Sequence, residues 1–159
     1  MSSSSKNWLP AVLLGFWTLW FALVAASNLA DLAQSLGWLP PSWRFASGNY
    51  ALLTKTTAVY SLPGWANRAL FMCVIVWELA AMCLLARALT AACGERLSAR
   101  LLDRAFAVSA GLFAAFALAD ELLIAFATGL EATHVRILVA LLATLIVIRP
   151  EVGKGDETA

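Results

Sequence analysis

The sequence predicts an all-α integral membrane protein: a four-helix bundle with an external cap between its first two helices. Three observations carry that expectation. Of 159 residues, 62% are hydrophobic and 13% charged, with a mean hydropathy of +0.80, whereas soluble domains are about half apolar and about a quarter charged. The apolar residues gather in four long blocks rather than in amphipathic stripes, which is the pattern of membrane spans. Finally, ionisable groups crowd into one stretch, Asp120 to Arg136, where a bilayer-spanning chain tolerates them least.

The first block covers residues 8–30, behind a short polar lead whose one charge is Lys6. It satisfies the roughly 20 apolar residues that a span needs. A signal peptide cleaved after Ala26 is the rival reading, because Val24-Ala25-Ala26 resembles a small-residue cleavage site. The block is longer than the usual signal core of roughly 7–15 residues. Asn28 and Asp31 are expected to close this helix. Residues 34–65 then hold Pro40-Pro41, Ser47-Gly48-Asn49 and Pro63-Gly64, punctuation that forbids a continuous span. Trp38, Trp43, Tyr50, Tyr60 and Trp65 in the same stretch are aromatics of the kind that settle at the headgroup level. An external cap is expected there, with residues 50–60 a short helix or an extended piece on the membrane surface.

The second span, residues 67–89, is interrupted only by Glu78, and a polar link follows over 92–103. The third span is placed at 104–127 and the fourth at 132–148, where Arg149-Pro150 stops it. A disordered polar tail is expected over 151–159. One side of this topology collects seven Lys and Arg residues (Lys6, Arg87, Arg96, Arg100, Arg104, Arg149, Lys154). The other has four: Arg44, Lys55, Arg68 and Arg136. The positive-inside rule then puts both termini and the 92–103 link in the cytoplasm; the Ala- and Leu-rich composition suits a high-GC bacterium, and the expected location is its inner membrane.

Several function classes fall away. A net charge of +1 leaves no basic face to neutralise phosphates, so nucleic acid is not a partner. Neither a Gly-rich phosphate loop nor a nucleophile elbow is present, and a lone histidine cannot supply paired haem ligands. Cys73, Cys83 and Cys93 contain no Cys-x-x-Cys pair and share no helical face, so they are expected as buried thiols.

With this topology Asp31, Glu78, Asp120, Glu121, Glu131 and His134 all fall in the outer half of the bundle, and the cytoplasmic half has no such group. Glu78 lies ~16 Å down its helix at 1.5 Å per residue, close to the midplane. A carboxyl there is either protonated or compensated. Glu121 shares a face with Ala110, Ala114, Ala117 and Leu118, small residues that allow close helix packing, so it is expected to point inward. Glu131 and His134 stand at i and i+3, the Glu-x-x-His spacing of di-metal carboxylate bundles. Those sites need the motif twice, and here it occurs once. Glu78, Glu121, Glu131 and His134 are expected to converge, with Asp120 and Asp31 nearer the rim.

Two main readings compete. Either the groups pair among themselves in a polar knot that Asn28, Arg68 or Arg136 completes, or Glu121, Glu131 and His134 hold a divalent metal such as Zn²⁺, Mn²⁺ or Fe²⁺. A proton or solute path and catalysis are further alternatives. The expectation rests on the knot, with Glu78, Asp120, Arg136 and Asp31 as its buried cluster. No catalytic residue and no cofactor are assigned. The expected role is a non-catalytic structural or accessory subunit, with the lipid bilayer, other membrane subunits or a second copy as partners.

Asn28-x-x-Asp31, the aromatic loop after it, and Trp77-Glu78 within the second span resemble the predicted small integral membrane proteins of bacteria, an uncharacterised four-span family. The resemblance covers the first two spans. It implies the architecture already read from hydropathy and no activity.

Overall fold

A computed structural model describes residues 8–94, 96–123 and 130–156. The helices are α1 (Leu9–Ser35), α2 (Asn49–Thr57), α3 (Gly64–Cys93), α4 (Ala99–Leu122) and α5 (Leu130–Asp156), with a 3₁₀ turn over Ala58–Tyr60. Four of them, α1, α3, α4 and α5, are long and apolar enough to cross a membrane. The protein is thus an all-helical membrane bundle. At 1.5 Å per residue α3 is about 45 Å long, longer than the roughly 30 Å of hydrocarbon it crosses.

The inward positions of α1 and α3 recur at steps of three or four. On α1 they are Leu14, Trp17, Phe21, Ala25, Asn28 and Leu32; on α3 they are Phe71, Ile75, Glu78, Ala81, Leu85 and Ala88. Such spacing produces the seam of two helices crossing at a shallow angle. α1 packs chiefly on α3, α3 on α4 and α4 on α5, while α5 touches α1 only lightly. One Asn and one Glu occupy seam positions that are otherwise apolar.

Two ends of the bundle differ in chemistry. The end where α1 begins and α5 finishes is filled by Leu14, Leu85, Leu102, Phe106, Leu141 and Ile148, all buried. There the Trp17 indole N–H donates to Thr144 Oγ1 at 3.1 Å, joining α1 to α5. Arg149 meets Asp103 at 3.0 Å across α5 and α4, a solvent-facing pair that contributes little. Between α3 and α4 the Trp77 indole donates to the Val108 carbonyl at 2.9 Å. Gly111 lies beside this contact, where a Cβ would stand 3.4 Å from Trp77 Cζ2. The opposite end carries α2 and the polar groups.

Outside, Val12, Phe16, Leu19, Leu23, Val76, Leu118, Val139 and Ile146 are exposed. That is more apolar surface than a soluble monomer leaves in water, and it suits contact with lipid. Cys73, Cys83 and Cys93 are also exposed, contrary to the expectation of buried thiols. The α3 seam is already taken by the residues named above, and a step of ten lands off it. A thiol loses little by facing apolar surroundings.

Helix limits differ from the hydropathy blocks for local reasons. α1 does not close at Asp31 but continues to Ser35, because Leu32 packs with Phe71 and Ile75. Much of the expected link 92–103 is helical, and α4 opens with Ser98 Oγ accepting from the Leu101 N–H at 3.3 Å. The expected disordered tail is helical as far as Asp156. Pro150 removes one helix hydrogen bond there, yet Val152 is buried in the apolar core beyond it. Residues 1–7, Glu95, the third-span end 124–127, the turn at Gly129 and residues 157–159 lie outside the described residues.

Candidate functional site

The site is built upward from Asn28. Its side-chain N–H donates to Glu78 Oε1 at 2.7 Å, and each residue is 2% exposed. Its Oδ1 accepts from Asn49 Nδ2 at 2.9 Å. Asn28 therefore joins α1 to the middle of α3 and to the first residue of α2. One turn further along α1, buried Asp31 accepts two hydrogen bonds through Oδ2: from Ser47 Oγ at 3.0 Å and from the Tyr50 N–H at 2.7 Å.

Asp31 thus caps α2 from a neighbouring helix. Tyr50 lies in the first turn of α2, where amide N–H groups lack intrahelical partners and the helix dipole favours an anion. Gly48 enters this turn at φ 76, a left-handed conformation that glycine adopts without steric cost. The other end of α2 is held as well. Thr57 Oγ1 donates to Asn67 Oδ1 at 2.8 Å, and both residues are buried. The Tyr50 ring packs on Phe71 with centroids 5.6 Å apart.

From the other side of the bundle, α4 and α5 contribute an Asp–His pair. His134 Nδ1 stands 2.6 Å from Asp120 Oδ2. The imidazole lies against Phe116, 4.8 Å between centroids, and near Phe113 at 6.3 Å. Asp120 is buried because it continues the inward row Phe106–Phe113–Asp120 at seven-residue steps. Glu121, one residue on and about 100° around the helix, is exposed. The expected inward face of Glu121 is therefore corrected. Of its small-residue row only Ala110 is buried, and the large aromatics set which side of α4 turns in.

Glu131 is half-buried, and Arg136 and Arg68 are exposed. Glu121 and Glu131 do not join His134: among the described residues no group of three or more His, Cys, Asp or Glu side chains could hold a metal ion. What the fold does bring together is Glu78, Asp120 and His134, around one cavity of about 320 Å³ to which all five helices contribute. Its walls are largely apolar, with Trp20, Leu53, Phe71, Val74, Phe113 and Ile137 among them. Asn28, Asn49, Thr56 and Thr133 add polar atoms, and among the described residues no Lys or Arg lines it. This volume falls at the lower end of ligand pockets, roughly 300–1,000 Å³, and the mixture of apolar wall and few polar groups is typical of them.

Glu78 Oε2 is buried without a hydrogen-bond partner among the described residues. A buried oxygen left unpaired carries a desolvation cost of about 1–3 kcal/mol, more if charged. Buried polar atoms are nearly always hydrogen-bonded, so an unpaired oxygen on a residue that lines a cavity points to a partner beyond the described residues. The pairing of Asn49 with Asn28 and the capping role of Asp31 were not read from the sequence. Ser47-Gly48-Asn49 carried a helix-start signal, but it was also turn punctuation.

Replacing Asp31 with Ala removes the acceptor of the Ser47 hydroxyl and of the Tyr50 N–H at the α2 start. The expected outcome is a loss of about 1–2 kcal/mol, the range for deleted helix caps. Amide exchange at residues 50–57 should quicken while the seam amides of α1 and α3 stay protected. Equal exchange in both proteins would contradict the capping role.

Comparisons with protein-family models, with curated proteins and with solved structures found no match for this chain.

Proposed function

We propose that this small membrane protein is non-catalytic and that the cavity beneath α2 is its binding site for a small amphipathic molecule. The observation that carries this reading is the placement of Glu78, Asp120 and His134 on the wall of one largely apolar cavity. Against catalysis stands the lack of a hydroxyl or thiol hydrogen-bonded to His134 among the described residues, where nucleophilic chemistry needs nucleophile and base within reach. The membership in the four-span bacterial family belongs to the same proposal. It rests on the sequence pattern alone: Asn28-x-x-Asp31, the aromatic loop after it and Trp77-Glu78.

Native mass spectrometry after mild detergent extraction tests the binding reading. The wild-type chain should retain a small adduct, and Val74→Phe, which fills the cavity, should lose it. A bare wild-type mass, identical in behaviour to the variant, would contradict it.

An accessory role in a larger membrane complex is a second reading. Arg136 favours it, since this cation is exposed near the start of the span Glu131–Pro150 without an ion pair among the described residues, where a partner's carboxylate could meet it. The same spectra would report a second subunit. For orientation, the Lys and Arg bias supports termini on the cytoplasmic face of a bacterial inner membrane. Cys93, exposed at the end of α3, reports on this once Cys73 and Cys83 are changed to Ser. An impermeant maleimide should label it only after permeabilisation, and labelling of intact cells would reverse the orientation.

A further inference from the structure

The cavity carries more acidic than basic side chains. Two carboxyl groups, Glu78 and Asp120, and one imidazole line it, with no Lys or Arg among the described residues of its wall. His134 is committed to Asp120 at 2.6 Å, so even as a cation it balances only that partner. Glu78 remains. Its Oε1 is held by Asn28, and its Oε2, buried in a residue only 2% exposed, has no partner among the described residues. Among the described residues no donor meets this oxygen.

Aromatic rings point to the same complement. Trp20, Phe71, Phe113 and Phe116 line the cavity, and the faces of such rings attract cations within about 6 Å. A carboxylate oxygen without a donor and an aromatic surround together fit an ammonium group, whose N–H bonds satisfy Oε2 while its charge meets the rings. The remaining wall is apolar and suits a short hydrocarbon body. We propose that the cavity binds the ammonium head of a small amphipathic amine, with Glu78 Oε2 as the acceptor for its N–H. This inference rests on the binding reading given above and narrows it to one chemical class. The head can belong to a free amine or to the ethanolamine of a lipid.

Three probes with the same tail separate the possibilities: hexylamine, hexanol and hexanoate, titrated by melting temperature in dodecyl maltoside, where a ligand of the folded state raises the midpoint by mass action. Hexylamine should bind at least about tenfold more tightly than hexanol, as expected of a charge-assisted bond over a neutral one, and hexanoate should not bind. Glu78→Gln should remove the preference for the amine. If that variant does not fold, the wild-type ranking of the three probes decides alone. Hexanol equal to hexylamine, or hexanoate the tightest, overturns the amine assignment while the binding reading stands. Failure of all three probes, with Val74→Phe indistinguishable from wild type, overturns both. Added phosphatidylethanolamine should compete with hexylamine if a lipid head is the occupant. Competition only by free ethanolamine supports a soluble amine instead.

Discussion

Everything at the α2 end depends on one hydrogen bond, from Asn28 on α1 to Glu78 at the middle of α3. Glu78 is the fifteenth residue of the thirty in its helix, so this carboxyl is as far from either end as the helix allows. In a bilayer the alternative to a partner inside the protein is hydrocarbon, which solvates neither group. The seam around the pair is apolar on both helices, and apolar side chains alone resist sliding weakly because lipid tails are equally apolar. Moving α1 along α3 by one turn would strand both Asn28 and Glu78. The pair fixes the register.

That register then places α2. Asn28 faces Glu78 with its N–H and Asn49 with its oxygen, and Asp31 on the next turn of α1 caps the helix that Asn49 begins. α2 therefore lies where α1 and α3 determine, fastened at its far end by Thr57 and Asn67. Beneath it the helices leave a cavity with polar groups on its wall, while the opposite end of the bundle is closed by large apolar side chains. The cavity and the closed apolar packing thus lie at different ends of the same four helices.

Most of the fold was legible because hydrophobic length is a direct reading of span number. Glu78 was legible too, as a single charge within an apolar block must be compensated. The choice between Asp120 and Glu121 was not. Adjacent residues differ by about 100° on a helix, and the sequence offers two inward rows: the small residues leading to Glu121 and the aromatics leading to Asp120. Packing of Phe106 and Phe113 decides it, and that depends on what the neighbouring helices present. Asp31 is a similar case. Its partners lie 16 and 19 residues onward, so nothing local distinguishes a residue ending α1 from one capping α2. The three cysteines reverse a rule of water-soluble cores, since outside the seam the protein meets lipid.

The most direct measurement of this account is a double-mutant cycle on Asn28→Ala and Glu78→Ala, with unfolding followed in bicelles. Side-chain hydrogen bonds in membranes couple by roughly 0.6 kcal/mol on average. A pair that sets register and holds α2 should exceed this and reach about 1 kcal/mol or more. Additive losses, with a coupling below about 0.3 kcal/mol, would mean that α1 and α3 find their alignment without the pair, and the central claim would fail.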